Sequence, residues 1–160
     1  MKKHKKQQSA DTVELPVNVT IEIHDAETGK LLRQEKRHNL ITLVYRNLIR
    51  DIMNGTPATG TISHFAVGTS NTAPTANDTA LGAEAFRDVV TKRTPDSGKL
   101  TIQYYLGSTS ANGNTLQEAG LWNAGSGGTL AARVIFQPII KTTSITATFT
   151  WDINVNAVAG

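Results

Sequence analysis

Residues 13–23 read VELPVNVTIEI, and an apolar side chain occupies every odd position of this stretch. Alternation with a period of two places apolar side chains on one face of a β-strand and polar side chains on the other. The stretch is therefore predicted to be a strand with one buried face and one face in water. A strand predicted over residues 144–156 shows the same alternation, with Phe149, Trp151 and Ile153 among its apolar positions.

Turn signals rich in Gly, Pro, Asn and Asp divide the chain between these two strands into short segments. Further strands are predicted over residues 31–37, 62–67, 86–93, 100–108, 115–123 and 130–137, with a single helical turn at 80–85. The 22 threonines, 12 isoleucines and 10 valines favour a mainly β fold, because β-branched side chains suit pleated sheets. We expect residues 13–160 to form a single jelly-roll-like β-sandwich domain with one amphipathic helix.

The predicted helix runs from Asn39 as N-cap to Gly55 just beyond its C-terminal end. Apolar side chains from Leu40 to Ile52 fall on one helical face, and Thr42 falls on the polar face. A Thr42→Asp substitution is therefore expected to be tolerated. Such a helix packs on a sheet or closes the end of a barrel, and packing against another subunit is the alternative.

The net charge of +3 has its origin in one short segment. Lysines occupy four of the first six positions, so the rest of the chain sums to −1; these residues are Lys2, Lys3, Lys5 and Lys6. We interpret residues 1–12 as a basic N-terminal arm, either a solubilising terminus or a segment that docks on an acidic partner or on nucleic acid. A nucleic-acid-binding domain would carry its basic residues on a folded face beside aromatics, so nucleic acid is not the expected partner.

Residue patterns of catalytic and metal sites are missing from the sequence. There is no cysteine, and none of the four histidines has a partner at metal-ligand spacing. The glycine-rich residues 125–128 lack the Gly-Lys-Ser/Thr ending of a phosphate-binding loop. The carboxylates of Asp78, Glu84, Asp88 and Glu118 are scattered. We predict no enzyme, no metal and no cofactor, and no run of apolar residues is long enough to span a membrane.

Two stretches of the chain carry a resemblance to a known family. The first holds Asn39-Leu40-Ile41-Thr42, Phe65-Ala66-Val67-Gly68-Thr69, Thr72-Ala73-Pro74, Asp78-Thr79-Ala80-Leu81, Glu84 and Arg87. The second is Leu116-Gln117-Glu118-Ala119-Gly120-Leu121-Trp122-Asn123, followed by Gly127-Gly128-Thr129-Leu130-Ala131-Ala132-Arg133 and Trp151-Asp152-Ile153. Together they make the chain similar to small structural proteins of tailed-bacteriophage virions, assigned variously to the capsid surface, the head fibre or the tail fibre.

The resemblance implies a non-enzymatic virion structural protein, assembled in the host cytoplasm. We expect a capsid decoration or cement protein, bound to the major capsid protein or other virion proteins by subunit contacts and by the basic arm. A homo-oligomer is expected, and a trimer is one option. A tail baseplate or tail-fibre component is the alternative. A carbohydrate-binding module would need more exposed aromatic side chains than this sequence supplies.

Glu118 and Arg133 lie on neighbouring predicted strands joined by a glycine-rich turn. They are expected to pair across the hairpin, where Gly120 lets the two backbones approach closely. Such a cross-strand pair contributes roughly 0.2–1 kcal/mol, and a role at a subunit interface is the alternative. Trp122 is expected to anchor the core or an interface. The predicted partner contacts are therefore Lys2, Lys3, Lys5, Lys6, Glu118, Arg133 and Trp122.

Overall fold

Nine antiparallel strands and one short helix form residues 17–155, the part of the chain that the computed structural model describes. The strands are β1 (Val17–Asp25), β2 (Leu31–Ile41), β3 (His64–Gly68), β4 (Glu84–Val89), β5 (Lys92–Asp96), β6 (Lys99–Leu106), β7 (Thr115–Trp122), β8 (Leu130–Ile140) and β9 (Ile145–Asn154), and the helix is α1 (Leu43–Met53). Pairing joins all nine strands into one sheet in the order β4-β3-β7-β8-β2-β1-β9-β6-β5. The prediction of a mainly β fold with one helix is confirmed.

This sheet curls strongly into a half-barrel whose concave face encloses the main core. Phe65 on β3 stacks on Tyr104 of β6 with ring centroids 4.2 Å apart, although five strands lie between β3 and β6 in the sheet order. The predicted two-sheet, jelly-roll-like sandwich is therefore wrong. The sheet is continuous because β2 pairs with β1 along most of its length and also with β8, at Leu40 and Ile41.

The alternation seen in the sequence describes β1 and β9 correctly. Val19 and Ile21 are almost completely buried, and they lie opposite Trp151 and Phe149 in the β1–β9 register. Directly opposed residues of an antiparallel pair share one face of the sheet, so these four side chains form the centre of the core. The predicted beginning of the first strand, at residue 13, lies outside the described residues.

Helix α1 begins later than predicted because Asn39, Leu40 and Ile41 still belong to β2. Its N-cap is Thr42, whose hydroxyl accepts a hydrogen bond from Tyr45 N and donates one to the carbonyl of Leu130. Thr42 is fully buried rather than on a polar helix face. The expectation that Thr42→Asp is tolerated assumed an exposed Thr42, and that assumption is wrong.

The chain between residues 80 and 96 also differs from the prediction. Residues 80–83 are not helical, and β4 begins at Glu84. The single strand predicted over residues 86–93 is two strands, β4 and β5, which form the two opposite edges of the sheet. Curling brings these edges near each other, so the short link at Val90 and Thr91 is enough to connect them. A periodicity of two continues across such a link and cannot reveal it.

The amphipathic helix lies against β8, as a helix on a sheet. Its apolar stripe is half-buried, and no residue of α1 is fully buried. Tyr45 packs against the main core and donates its hydroxyl to the carbonyl of Gly60 at 2.6 Å. Within residues 17–155 no helix has the length and apolar character needed to cross a membrane.

Candidate functional site

Strand β7 is buried on both faces, which is unusual for an antiparallel sheet with one solvated face. Ala119 and Leu121 point into the main core. Glu118, Gly120 and Trp122 alternate with them and therefore point to the convex face. Residues 69–83, which we call the covering loop, lie over this face. Leu81 of the loop forms a second small core there with Ala66, Trp122 and Leu130.

The carboxylate of Glu118 ties the covering loop to β7. Its Oε1 accepts hydrogen bonds from the backbone N–H groups of Ala83 at 2.7 Å and Ser70 at 3.3 Å. Its Oε2 accepts from Gly82 N at 2.9 Å. The Glu118 side chain is fully buried, so these three donors replace the water that it loses on folding.

Arg133 on β8 completes the arrangement, which we call the clamp (Glu118, Arg133 and Asp78). Its Nε lies 2.9 Å from Oε2 of Glu118. One terminal nitrogen donates to Oδ2 of Asp78 at 2.7 Å, and the other donates to the carbonyl of Thr72 at 3.0 Å. The Arg133 side chain is 4% exposed, so its charge is balanced by two carboxylates rather than by solvent. The predicted Glu118–Arg133 pair is therefore confirmed.

The electrostatics of the clamp favour the charged forms of its members. Burial by itself would raise the pKa of the Asp78 carboxyl, but hydrogen bonds from Thr75 and Arg133 outweigh burial and hold that pKa below its usual value. Burial would likewise lower the pKa of the Arg133 guanidinium, but Asp78 and Glu118 raise it above its usual value. The range of roughly 0.2–1 kcal/mol for an ordinary cross-strand pair does not describe this site, because breaking a buried pair costs about 3–5 kcal/mol.

Glycines supply the space that the clamp and the covering loop need. A Cβ atom on Gly68 would lie 2.5 Å from Oε1 of Glu118 and would also meet the carbonyl oxygen of Ala83. A Cβ on Gly120 would lie 2.9 Å from both Leu81 and Leu130. The expected close approach at Gly120 is therefore present. Its partners include the covering loop as well as the neighbouring strand.

Trp122 lies beside the clamp and is 4% exposed. The guanidinium carbon of Arg87 sits 3.8 Å from the centre of its ring, a cation–π contact. Arg87 also pairs with Glu84 at 2.6 Å and donates to the carbonyls of Ala124 and Gly127 at 3.1 Å. Trp122 therefore belongs to the second small core, and Arg87 links its ring to the β7–β8 turn.

The N-terminal lysines and the histidines are the sequence-based candidates that remain. Lys2, Lys3, Lys5 and Lys6 lie outside the described residues. His24 and His64 are on different strands, and within residues 17–155 no three His, Cys, Asp or Glu side chains come close enough to hold a metal ion. The charged groups of the clamp bond to one another and to backbone groups, so the clamp holds the covering loop against β7 and β8.

One residue of the clamp was not predicted as part of it. Asp78 was noted as one of several scattered carboxylates and within the stretch Asp78-Thr79-Ala80-Leu81, but not as a partner of Glu118 or Arg133. Outside the clamp, the burial of Lys141 was also not predicted, since an isolated lysine after an apolar strand gives no indication of burial. Asp78, Glu118 and Arg133 all lie in the two stretches quoted in the sequence analysis, and this shared membership is the signal that could have grouped them.

Comparison with known proteins adds no assignment: no family model, no curated protein and no solved structure matches this chain.

Proposed function

We propose that this chain is a non-enzymatic structural protein of a tailed-bacteriophage virion, and that it decorates or cements the capsid. The observation that carries the proposal is the convergence of the motif residues on the clamp. Glu118, Arg133 and Asp78 come from the two stretches that carry the family resemblance. The guanidinium nitrogens of Arg133 lie within 3 Å of carboxylate oxygens of both Glu118 and Asp78. Thr72, Leu81 and Gly120 pack around them.

This convergence supports a structural role because the motif residues hold the fold instead of lining an open site. Nearly every charged atom of the clamp bonds to a partner residue or to the backbone. The shared feature of the family would then be a rigid outer face on β3, β7 and β8, with the covering loop fixed to it. A protein that bridges capsid subunits needs such rigidity, because it must present the same surface at every position on the shell.

The convex faces of β1, β6 and β9 are compatible with a protein that stays in solution until it assembles. Their outward residues include Thr20 of β1, which lies opposite Thr150 of β9. Thr101, Thr148 and Thr150 alternate with core residues along β6 and β9. Tyr105 is the one exposed large aromatic side chain among residues 17–155. A carbohydrate-binding module stacks sugars on several such rings, so this surface favours protein contacts.

Attachment in this proposal uses subunit contacts of the β-domain together with the basic arm, with the major capsid protein as partner and a homo-oligomer as the assembled form. The arm carries charges opposite to those of an acidic groove, which would strengthen binding at low salt. A tail baseplate or tail-fibre position is the second candidate, because the resemblance includes tail-fibre proteins.

Mass spectrometry of separated heads and tails tests the proposal. Particles that carry the chain are disrupted, heads and tails are isolated on a density gradient, and peptides of this chain are quantified against the major capsid protein. A fixed ratio to the capsid protein in the head fraction is the expected result. Recovery in the tail fraction would select the second candidate, and absence from both fractions would contradict a virion role.

A further inference from the structure

Lys141 follows strand β8 and is fully buried, although it carries an ammonium group. Its Nζ donates three hydrogen bonds, to the carbonyl of Thr142 at 2.9 Å, to Oδ1 of Asn112 at 2.9 Å and to the carbonyl of Ser108 at 3.4 Å. An ammonium group has three donors, so all of them are used. The three acceptors are neutral oxygens.

A buried charge without a counter-charge is costly, even when its hydrogen bonds are made. None of the salt bridges among residues 17–155 involves Lys141. Burial lowers the pKa of this amine, which is the expected response of a cation that lacks an anionic neighbour. A carboxylate in place of one neutral acceptor would remove that cost.

Asn112 is the acceptor whose side chain is able to become a carboxylate. It is exposed and is followed by Gly113, which has a φ of +82°. Because Gly113 has no side chain, nothing attached to its Cα obstructs approach of its backbone nitrogen to Cγ of Asn112. That nitrogen donates to the carbonyl of Lys141 at 3.0 Å, a hydrogen bond that keeps Lys141 beside the Asn-Gly bond but must break before the nitrogen can react.

We propose that Asn112 is a deamidation site at which the protein converts its own side chain to the counter-ion of Lys141. Local opening of the loop first breaks the hydrogen bond from Gly113 N to the carbonyl of Lys141. Gly113 N then loses its proton to solvent and bonds to Cγ of Asn112, the Cγ–Nδ2 bond breaks, and ammonia leaves with the proton returned from solvent. Water then opens the resulting five-membered imide. Hydrolysis at Cγ gives aspartate, and hydrolysis at the backbone carbonyl gives isoaspartate. No oxidant, reductant or cofactor takes part.

Lys141 acts on this reaction through Oδ1 of Asn112. That oxygen becomes negatively charged when nitrogen or water adds to Cγ, and a positively charged donor already lies 2.9 Å from it. A donor placed where negative charge develops stabilises the transition state. The same donor polarises Cγ in the imide, so water is directed to Cγ and aspartate forms in preference to isoaspartate. The leaving amide nitrogen, Nδ2, is held by the carbonyl of Ser108 at 2.8 Å.

The test is peptide mass spectrometry of the purified, folded full-length chain during storage at neutral pH, with aspartate and isoaspartate separated by chromatography. Asn114 in the same loop is the internal control, since Thr115 follows it instead of glycine. The same chain unfolded in urea gives the product ratio without Lys141. We expect conversion at Asn112 with Asn114 unchanged, and a ratio of aspartate to isoaspartate that is higher in the folded protein than in urea.

Substitution of Lys141 separates an electrostatic role from a packing role. Lys141→Met removes the donor, and the conversion is expected to slow by roughly tenfold or more and to lose its aspartate preference. Asn112→Asp, which needs no conversion, is expected to unfold at a higher urea concentration than wild type, and Asn112→Gln is expected not to. The Asn112→Asp comparison decides the question even if Lys141→Met does not fold. No conversion at Asn112 in the folded chain, or an Asn112→Asp variant less stable than Asn112→Gln, would overturn the proposal.

Discussion

Arg133 Nε lies 2.9 Å from Oε2 of Glu118, and both side chains are buried on the convex face of a curled sheet, beneath the covering loop. A buried charge pair on the outside of a sheet is possible here because residues 69–83 exclude water from it. The pair joins three separate parts of the chain, since Asp78 and the backbone of residues 70–83 bind to it as well. We therefore expect the clamp to be a main determinant of stability.

Replacing Arg133 by methionine is expected to lower the free energy of unfolding by about 3–5 kcal/mol, because Glu118 would keep a buried charge without its cation. Urea unfolding followed by circular dichroism measures this change. The double variant Arg133→Met/Glu118→Gln should lose less free energy of unfolding than the sum of the losses in the two single variants, since the unpaired charge of Glu118 is then gone.

The control for this prediction is Lys99→Met. Lys99 Nζ lies 3.7 Å from Oδ1 of Asp152, and both side chains are more than one-third exposed. Such surface pairs contribute about 0–1 kcal/mol. An Arg133→Met variant that loses no more stability than Lys99→Met would contradict the structural importance of the clamp.

Thr42→Asp is expected to destabilise the protein by about 1–3 kcal/mol. Aspartate is able to cap a helix, but it has no hydroxyl to donate to the carbonyl of Leu130, and its charge would face that carbonyl in a buried place. Thr42→Ser keeps both hydrogen bonds and should remain close to wild type. Equal thermal midpoints for the aspartate and serine variants would show that the hydroxyl makes no net contribution.

The lowered pKa of Asp78 predicts a loss of stability in acid. Its folded pKa lies below the ordinary value of 3.8, so the unfolded chain takes up the proton first as the pH falls. The stabilisation is therefore complete above that ordinary value and disappears as the pH falls through the lower, folded pKa.

Urea unfolding of wild type and Asp78→Asn across this acidic range measures the effect. The two curves should differ at neutral pH and approach each other in acid. Asp96→Asn, in an exposed strand end, is the control and should run parallel to wild type. A constant difference between wild type and Asp78→Asn at all pH values would mean that Asp78 does not contribute through its charge.

Deleting residues 1–8 is expected to leave folding unchanged and to weaken attachment to the particle. The deletion removes Lys2, Lys3, Lys5 and Lys6, each of which contributes about 0–1 kcal/mol if it forms an exposed ion pair. Occupancy on purified particles over a series of salt concentrations measures this, with thermal unfolding of both proteins as the control for folding. Identical occupancy curves would assign attachment to the β-domain alone.

The sequence predicted best the features that a single strand or hairpin contains. The alternation in β1 and β9 identified core residues such as Ile21 and Trp151, and the Glu118–Arg133 pair followed from two strands joined by a short turn. A polar loop was predicted over residues 68–79, but its position over β7 was not, because what a loop covers is decided by tertiary contacts. The sandwich prediction failed because the order of strands in a sheet depends on pairings such as Leu40–Arg133, which alternation does not encode.

The error at Thr42 has a different origin. The helical pattern was counted from Asn39, so Thr42 was placed on the polar face of the helix. In the fold Asn39 still pairs with Val17 in the sheet, and the helix begins only after Thr42. Only Thr42 separates the apolar residues at the end of β2 from those at the start of α1, and sequence periodicity does not show where the strand ends and the helix begins.

A cryo-EM map of particles that carry this chain shows directly whether the protein decorates a capsid. Density for a curled nine-stranded sheet is expected on the outer surface of the shell, repeated at symmetry-related positions and in contact with more than one capsid subunit. A shell without such density, with the chain found at the tail or free of the particle, would contradict it.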